Sequence, residues 1–313
     1  MQHISVLKDE VEEYLALEEG QVIVDGTLGL GGHSLLILNK IGTNGHLIVF
    51  EQDSRNLQEA QKRLKQYEGQ ITYFHDNFCT LKSRITGSDY DSVDAVFLDL
   101  GLSSPHVDEA ERGFSFMQEG PLDMRFDQRK SLTAAEIVNE WEEEDLARIF
   151  RDYGEERMAK KVARLICGRR KEQEFRTTTD LADFLENVLP KKRSKRASTA
   201  HPATKVFQAL RIAVNEELEV LQDVLEQAME VVKVGGRIVI LTYHSLEDRI
   251  VKHFFKELER PKAVGEEAIY SNYGEPIVQN LTKKPVIPSE EELSLNPRSR
   301  SAKLRAYKKL KNN

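Results

Sequence analysis

Short apolar runs separated by amphipathic stretches organise both ends of the chain. Gln21-Val-Ile-Val-Asp25, His46-Leu-Ile-Val-Phe50, Gln70-Ile-Thr-Tyr-Phe74 and Asp94-Ala-Val-Phe-Leu-Asp99 are short, nearly continuous apolar runs, the signature of strands buried on both faces. Between them the residues 33–39 form an apolar helical segment, and Leu57, Ala60 and Leu64 mark one face of a helix over 56–67. Leu7, Val11, Tyr14 and Leu15 predict an opening helix, expected across the edge of a ligand pocket. Strand and helix alternating at this spacing predict an α/β fold with a parallel sheet covered on both faces.

The alternation stops at Pro105 and resumes after Pro202. In between, the pattern predicts a loop over 112–125 and then helices. Thr133 and Glu136 form a capping box, 143–153 and 155–171 are amphipathic, and Thr179 is read as the cap of a helix over 180–189 that Pro190 stops. The stretch 190–202 is basic, rich in Ser and Thr, and expected to be mobile. Beyond it come one long helix over 204–232, the turn Lys233-Val-Gly-Gly236, a strand over 237–243, a helix over 249–258 with Ser245 and Asp248 as its capping box, and a weak final edge strand over 301–307. The chain thus predicts a discontinuous core, 1–106 with 203–313, around a helical insertion, 107–202.

The first strand runs straight into Gly26, Gly29, Gly31 and Gly32. Glycine allows a tight turn and close approach to a ligand, and the free N–H groups of the following helix favour anionic or polar atoms. A Gly-x-Gly-x-x-Gly dinucleotide fingerprint tried from Gly29 fails at Ser34, where close helix packing requires glycine. Glu51-Gln-Asp53 ends the second strand, where an acid can bind both ribose hydroxyls. That arrangement serves dinucleotide and adenosylmethionine enzymes alike, so it indicates an adenosine and leaves the chemistry open. Asp25, Glu51, Asn77 or Phe78, and Asp99 all fall at carboxyl ends of strands, where such sheets bind ligands.

The 313 residues carry a net charge of -7, which argues against a protein that simply coats nucleic acid. Basic clusters at 157–171, 191–196 and 298–309 are nevertheless local patches able to grip RNA, although each alone also reads as a solvated helix face or loop. Cys79 and Cys167 are too few for a disulfide framework and lack zinc spacing, and no other cluster has metal-ligand spacing. The start lacks a basic leader, and no apolar run approaches the length of a membrane span, so a cytoplasmic location is expected.

Several strings resemble one family, the bacterial ribosomal RNA small-subunit methyltransferase H (MraW) family. They are Asp25-Gly-Thr-Leu-Gly-Leu-Gly-Gly-His-Ser34, Leu98-Asp-Leu-Gly-Leu-Ser-Ser-Pro105, Glu111-Arg-Gly-Phe-Ser-Phe116, Gly120-Pro-Leu-Asp-Met-Arg125, Tyr153-Gly-Glu-Glu-Arg157, His201-Pro-Ala-Thr204, Phe207-Gln-Ala209, His244-Ser-Leu-Glu-Asp-Arg249 and Asn296-Pro-Arg298. The resemblance implies a Rossmann-like class I methyltransferase core with an inserted all-helical domain. It also implies methyl transfer from S-adenosyl-L-methionine to the exocyclic N4 of a cytidine in the decoding region of 16S ribosomal RNA. The implied partner is 16S rRNA in the small ribosomal subunit, with no membrane and a monomer or homodimer as the working form. The implied cofactor contacts are Gly31, Gly32, His33, Glu51 with Asp53 as fallback, Phe78, Asp99 and His106. The family more often has aspartate at Glu51 and glutamine at His106.

The chemistry narrows the remaining candidates. A cytosine amine shares its lone pair with the ring, so an acceptor for its N–H favours the attacking form. Asp99 and the following loop sit at the right strand end; Ser103, Ser104 and Pro105 loosely resemble the Ser/Asn/Asp-Pro-Pro-aromatic motif of amino-methyltransferases. The base must be unstacked onto apolar faces, for which Phe114, Phe116 and Met124 are candidates as well as core plugs. Arg112, Arg125 and Arg157 are read as phosphate contacts or partners of neighbouring acids, and His201 and His244 as proton acceptors or caps. A dinucleotide oxidoreductase, a non-catalytic RNA-binding protein and a methyltransferase acting on small molecules or proteins are the alternatives at this stage.

Overall fold

A computed structural model describes residues 5–189, 201–261 and 274–312; the basic run Lys191–Arg196 lies outside the described residues. The chain forms two compact units, Met1–Gly101 with Leu218–Asn313, and Leu102–Glu217.

The first unit is a seven-stranded sheet in the order β3-β2-β1-β4-β5-β7-β6. The strands are β1 Val22–Asp25, β2 His46–Phe50, β3 Ile71–Phe74, β4 Val93–Asp99, β5 Val232–Thr242, β6 Val278–Asn280 and β7 Lys303–Lys309. β1 to β5 are parallel, and β7 runs antiparallel to β5 and β6. Alternate residues feed separate layers, as the two-residue strand period demands. Ile23, Leu47, Phe97, Val239 and Leu304 pack with α1 (Lys8–Leu15) and α2 (Gly32–Ile41). Val24, Ile48, Val96, Ile240 and Tyr307 pack with α11 (Glu217–Val231) and α12 (Ser245–Glu259). The chain turns back on itself in the sheet between β1 and β4, so Asp25 and Asp99 end neighbouring strands at a topological switch point.

The second unit is helical, with no strand among its described residues beyond one isolated bridge, Pro121 to Thr177. Helices α6 (Ala134–Glu140), α7 (Glu143–Asp152), α8 (Ala159–Arg170), α9 (Thr178–Val188) and α10 (Thr204–Asn215) surround Phe150, Ile166, Phe175, Leu185 and Leu210. The capping box at Thr133 and Glu136 forms as expected.

Some boundaries differ from the sequence pattern. The helix expected over 204–232 breaks at Glu216, which is left-handed at φ 55°. Its first half, α10, shares the core of the helical unit, so the units divide after 101 and 217 rather than after 106 and 202. Lys233-Val-Gly-Gly236 is not a turn but part of β5, where the register with β4 shifts. A Cβ on Gly236 would lie 2.5 Å from the Asp94 carbonyl oxygen, which explains the glycine there. Thr177, not Thr179, caps α9. α12 starts at Ser245, capped by His244 with Glu247, rather than by Ser245 with Asp248. β7 is an interior strand rather than an edge.

Candidate functional site

In the sheet unit the glycine turn is dictated by what surrounds it. A Cβ on Gly26 would sit 2.5 Å from Leu98 Cδ2 and 3.4 Å from Phe78 Cβ. Gly29 and Gly31 have φ of 51° and 74°, a region where glycine is not strained. Gly31 is the N-cap of α2 and offers no side-chain cap, so the first-turn amides are left for a ligand. The segment before α1, rather than the helix itself, lines this turn: His33 Nε2 donates to the Val6 carbonyl at 2.9 Å, and Ser5 lies against Gly32.

Asp25 is buried directly under the turn. Its carboxylate accepts from the Thr27 amide at 3.0 Å and the Ser34 hydroxyl at 2.6 Å, while burial raises its pKa above the ordinary carboxylate value. Ser34, fully buried, thus has a partner where a dinucleotide fold would place glycine. Glu51 receives the Gly29 amide on Oε2 and the Asp53 amide on Oε1, both at 2.8 Å. Burial pushes its pKa up to about 8 against those hydrogen bonds. Asp53 caps α3 (Ser54–Arg63) by accepting from the Arg55 amide. That leaves Glu51 as the acid facing the turn. Phe78 opens a short turn capped by Asn77 and abuts Gly26.

Asp99 is the best-oriented carboxylate of the unit. Its amide donates to the Thr27 hydroxyl at 2.6 Å, and its Oδ1 accepts from the Gly101 amide at 3.3 Å. The Oδ2 atom lies 3.6 Å from His33 Nδ1, and the Asp99 side chain keeps 22% exposure, enough to meet a ligand. Tyr243 also hydrogen-bonds Asp99; burial and the Asp99 charge raise the phenol well above its ordinary pKa, so it stays a donor. A Cβ on Gly101 would lie 2.7 Å from the Tyr243 ring. Sequence reasoning missed Tyr243 and the buried Asp25–Ser34 pair. The available signal was position: each ends or follows a strand beside β1 or β4.

In the helical unit Ser103 precedes the short helix α5 (Ser104–Asp108), in which Ser104 and Pro105 are the first residues. The Ser103 hydroxyl lies 2.9 Å from His106 Nδ1. His106 is buried and its ring lies tilted against both Phe114 and Phe126, each centroid 5.0 Å away. Phe114 and Phe126 stack on each other at 16°, while Phe116 packs on His201 and Phe207. Both Phe114 and Phe116 keep partial exposure.

Two expected contacts are corrected here, at Met124 and Arg112, and Arg125 takes the neighbouring acid that was the other reading of it. Met124, 1% exposed with φ 62°, is core and offers no face to a base. Arg112 is buried and donates to the carbonyls of Arg125 and Phe126, so it holds a loop instead of meeting phosphate. Arg125 is engaged in a two-pronged pair with Asp123 at 2.9 and 2.7 Å. His201 and His244 both act as caps, accepting from the Ala203 and Glu247 amides.

The switch-point sheet, its antiparallel strand beside β5, the glycine turn and the acids after β2 and β4 form a Rossmann-like adenosine-binding core, and the family match below makes it that of an S-adenosylmethionine-dependent methyltransferase. Residues 1–310 match the MraW methylase family. Ribosomal RNA small subunit methyltransferase H of Clostridium botulinum (strain Loch Maree / Type A3) is 45% identical over 309 residues, covering 98% of this chain and 99% of that protein. The protein of the same name from strain Kyoto / Type A2 is 44% identical over the same shares. A solved rRNA methylase from Streptococcus thermophilus superposes with a TM-score of 0.44 and 10% identity, covering 99% of this chain and 100% of that one. The chain belongs to the MraW methylase family.

Proposed function

We propose that this protein transfers a methyl group from S-adenosyl-L-methionine to the exocyclic N4 of a cytidine in 16S ribosomal RNA. Family membership supports the reaction class and the RNA, and the observation that carries the site is the fixed Asp99 carboxylate beside the glycine turn. The residues fit the cofactor. Uncapped amides at Gly32 and His33 suit its carboxylate, and Glu51 suits the ribose hydroxyls. Bound there, the cofactor supplies an electrophilic methyl on sulfur.

The rest is the work of the chain. Held by Gly32, His33 and Glu51, the cofactor would supply its methyl to N4 by in-line displacement and leave with the C–S bonding pair, while the amine would give up one proton to water. Alignment provides most of the acceleration. Asp99 accepts an N–H bond from the amine, which weakens conjugation with the ring and stabilises the positive charge developing on N4. Tyr243 and the Gly101 amide keep that carboxylate in one orientation, while the Thr27 hydroxyl holds the Asp99 backbone amide. Phe114 and Phe116 are proposed to stack on the unstacked base, with Ser103, Ser104 and Pro105 shaping the loop before them. The helical unit is proposed to recognise the RNA and the sheet unit to hold the cofactor.

The test is incorporation of labelled methyl into small subunits from a strain lacking this gene, followed by nucleoside analysis. N4-methylated cytidine is expected with the wild type and a loss of about a hundredfold or more with Asp99→Ala. Label in another nucleoside, or in protein, overturns the assignment.

A further inference from the structure

We propose that the outward face of α8, formed by Lys160, Lys161, Arg164 and Lys171 around Gly168, docks the phosphate backbone of the RNA. The proposal rests on the reading of this protein as a ribosomal RNA methyltransferase and locates where that substrate is gripped.

The helix buries Ala159, Val162, Ala163, Ile166 and Cys167. At about 100° per residue, Lys160, Lys161, Arg164, Gly168 and Lys171 fall within an arc of about 100° on the opposite side, over about 16 Å of helix axis. All of them are exposed. The helix sequence Ala-Lys-Lys-Val-Ala-Arg-Leu-Ile-Cys-Gly-Arg-Arg contains no acid, in a chain whose net charge is -7.

These cations have no work to do within the fold. Arg169 pairs with Asp180 at 2.5 Å and lies over the Phe175 ring, and Arg170 donates to the Val138 carbonyl. On α7, Arg148 pairs with Asp145 and Arg151 with Asp152. Among the described residues, Lys160, Lys161, Arg164 and Lys171 form no ion pair or side-chain hydrogen bond, and neither does Arg157 just before the helix. Glu142 and Glu143 act on Cys167 together with Lys171, so the Lys171 end is the less positive one. The helix dipole does not explain the lysines either. It favours cations at the C-terminus, whereas Lys160 and Lys161 stand in the first turn, where positive charge is disfavoured and no acid offsets it.

Gly168 is the second, independent observation. Glycine within a helix weakens it relative to alanine, yet a Cβ built on Gly168 meets nothing within 4 Å. No neighbour among the described residues requires its absence. What glycine leaves there is bare backbone amid the cations, open to close approach by another molecule. None of the large exposed hydrophobic side chains, Met117, Val234, Ile287, Leu295 and Leu310, lies on α8. A surface with spaced cations and no apolar anchor suits regularly spaced phosphates better than a protein epitope.

The experiment compares wild type, the triple variant Lys160→Gln/Lys161→Gln/Arg164→Gln, and Gly168→Ala. KM for small subunits is measured across a salt series, with melting temperature and S-adenosylhomocysteine affinity as controls. The triple variant is expected to raise KM about tenfold or more near 0.1 M salt and to flatten the log KM against log salt slope by about two to three, one counterion release per lost phosphate contact. Cofactor affinity is expected to stay unchanged. Gly168→Ala is expected to melt higher and still raise KM severalfold, a pair of effects that a merely structural glycine does not give. Unchanged KM and slope in a folded triple variant overturn the proposal while leaving the methyltransferase reading intact. A defect on intact subunits that vanishes when binding to protein-free 16S RNA is measured also overturns it, assigning the stripe to a ribosomal protein. Failure of the wild type to methylate subunits at all defeats instead the functional reading beneath it.

Discussion

Glu51 shows how much a single side chain adds to what its position announces. That an acid follows β2 was legible, and so was its preference over Asp53; its ionisation was not, because that depends on enclosure by residues distant in sequence. With its pKa pushed from 4.5 to about 8, Glu51 holds a proton in the folded chain that the unfolded chain releases near 4.5. The folded state is therefore favoured by this group below the unfolded value, and the advantage is lost as pH rises through about 8. Ribose hydroxyls donating to both oxygens favour the ionised form, so ligand binding releases that proton. Isothermal titration should show S-adenosylhomocysteine affinity rising with pH between 6 and 8, by at most about tenfold per unit, and levelling above 8. Glu51→Gln should bind more weakly with no such slope; an unchanged slope would assign the linkage to another group. Other residues resisted reading for the same reason. Ser34 looked like a failed glycine but donates a hydrogen bond to Asp25, and Arg112 and Met124 looked available yet are buried.

At the scale of elements, periodicity located β1 to β4 and most helices, and it failed where long-range partners override local pattern. β7 is the clearest case. Lys303, Arg305 and Lys309 make it look like a solvated edge, but Lys303 and Arg305 pair with Asp248 on α12 at 3.1 and 2.7 Å. Lys309 is buried and donates to the Met229 and Val232 carbonyls at the end of α11. With its charges absorbed, the strand can sit between β5 and β6. Removing the carboxylate strands Arg305, which is 6% exposed. Asp248→Ala is accordingly expected to cost about 3 kcal/mol or more, read as a lower urea midpoint with an unchanged slope, whereas Asp248→Asn, which keeps its acceptor oxygen, loses less. Equal losses in the two variants would show that the charge, and not the acceptor oxygen, carries the effect. The break at Glu216 was illegible for a related reason: Glu216 and its neighbours suit a helix locally, and only the separate cores on either side demand a turn there.

For the whole molecule, the interruption of strand-helix alternation was the legible feature, and its physical meaning lies in the cores. Among the described residues one apolar cluster draws its buried residues entirely from Leu122 to Val214, while two others draw theirs from Val6 to Leu98 and from Leu221 to Tyr307. Each unit therefore has an apolar interior built from its own residues. β4 and α11 flank the insertion, which makes it replaceable by a connection from Gly101 to Leu218. A chain with residues 102–217 exchanged for a Gly/Ser linker of about ten residues should unfold cooperatively and bind S-adenosylhomocysteine within about tenfold of wild type. The same chain should transfer no methyl to small subunits, because the proposed RNA-binding face and the aromatic residues after Gly101 are gone. Loss of cofactor binding in a cooperatively folded variant would mean that the insertion supplies cofactor contacts, with His106 the first residue to test by restoring it.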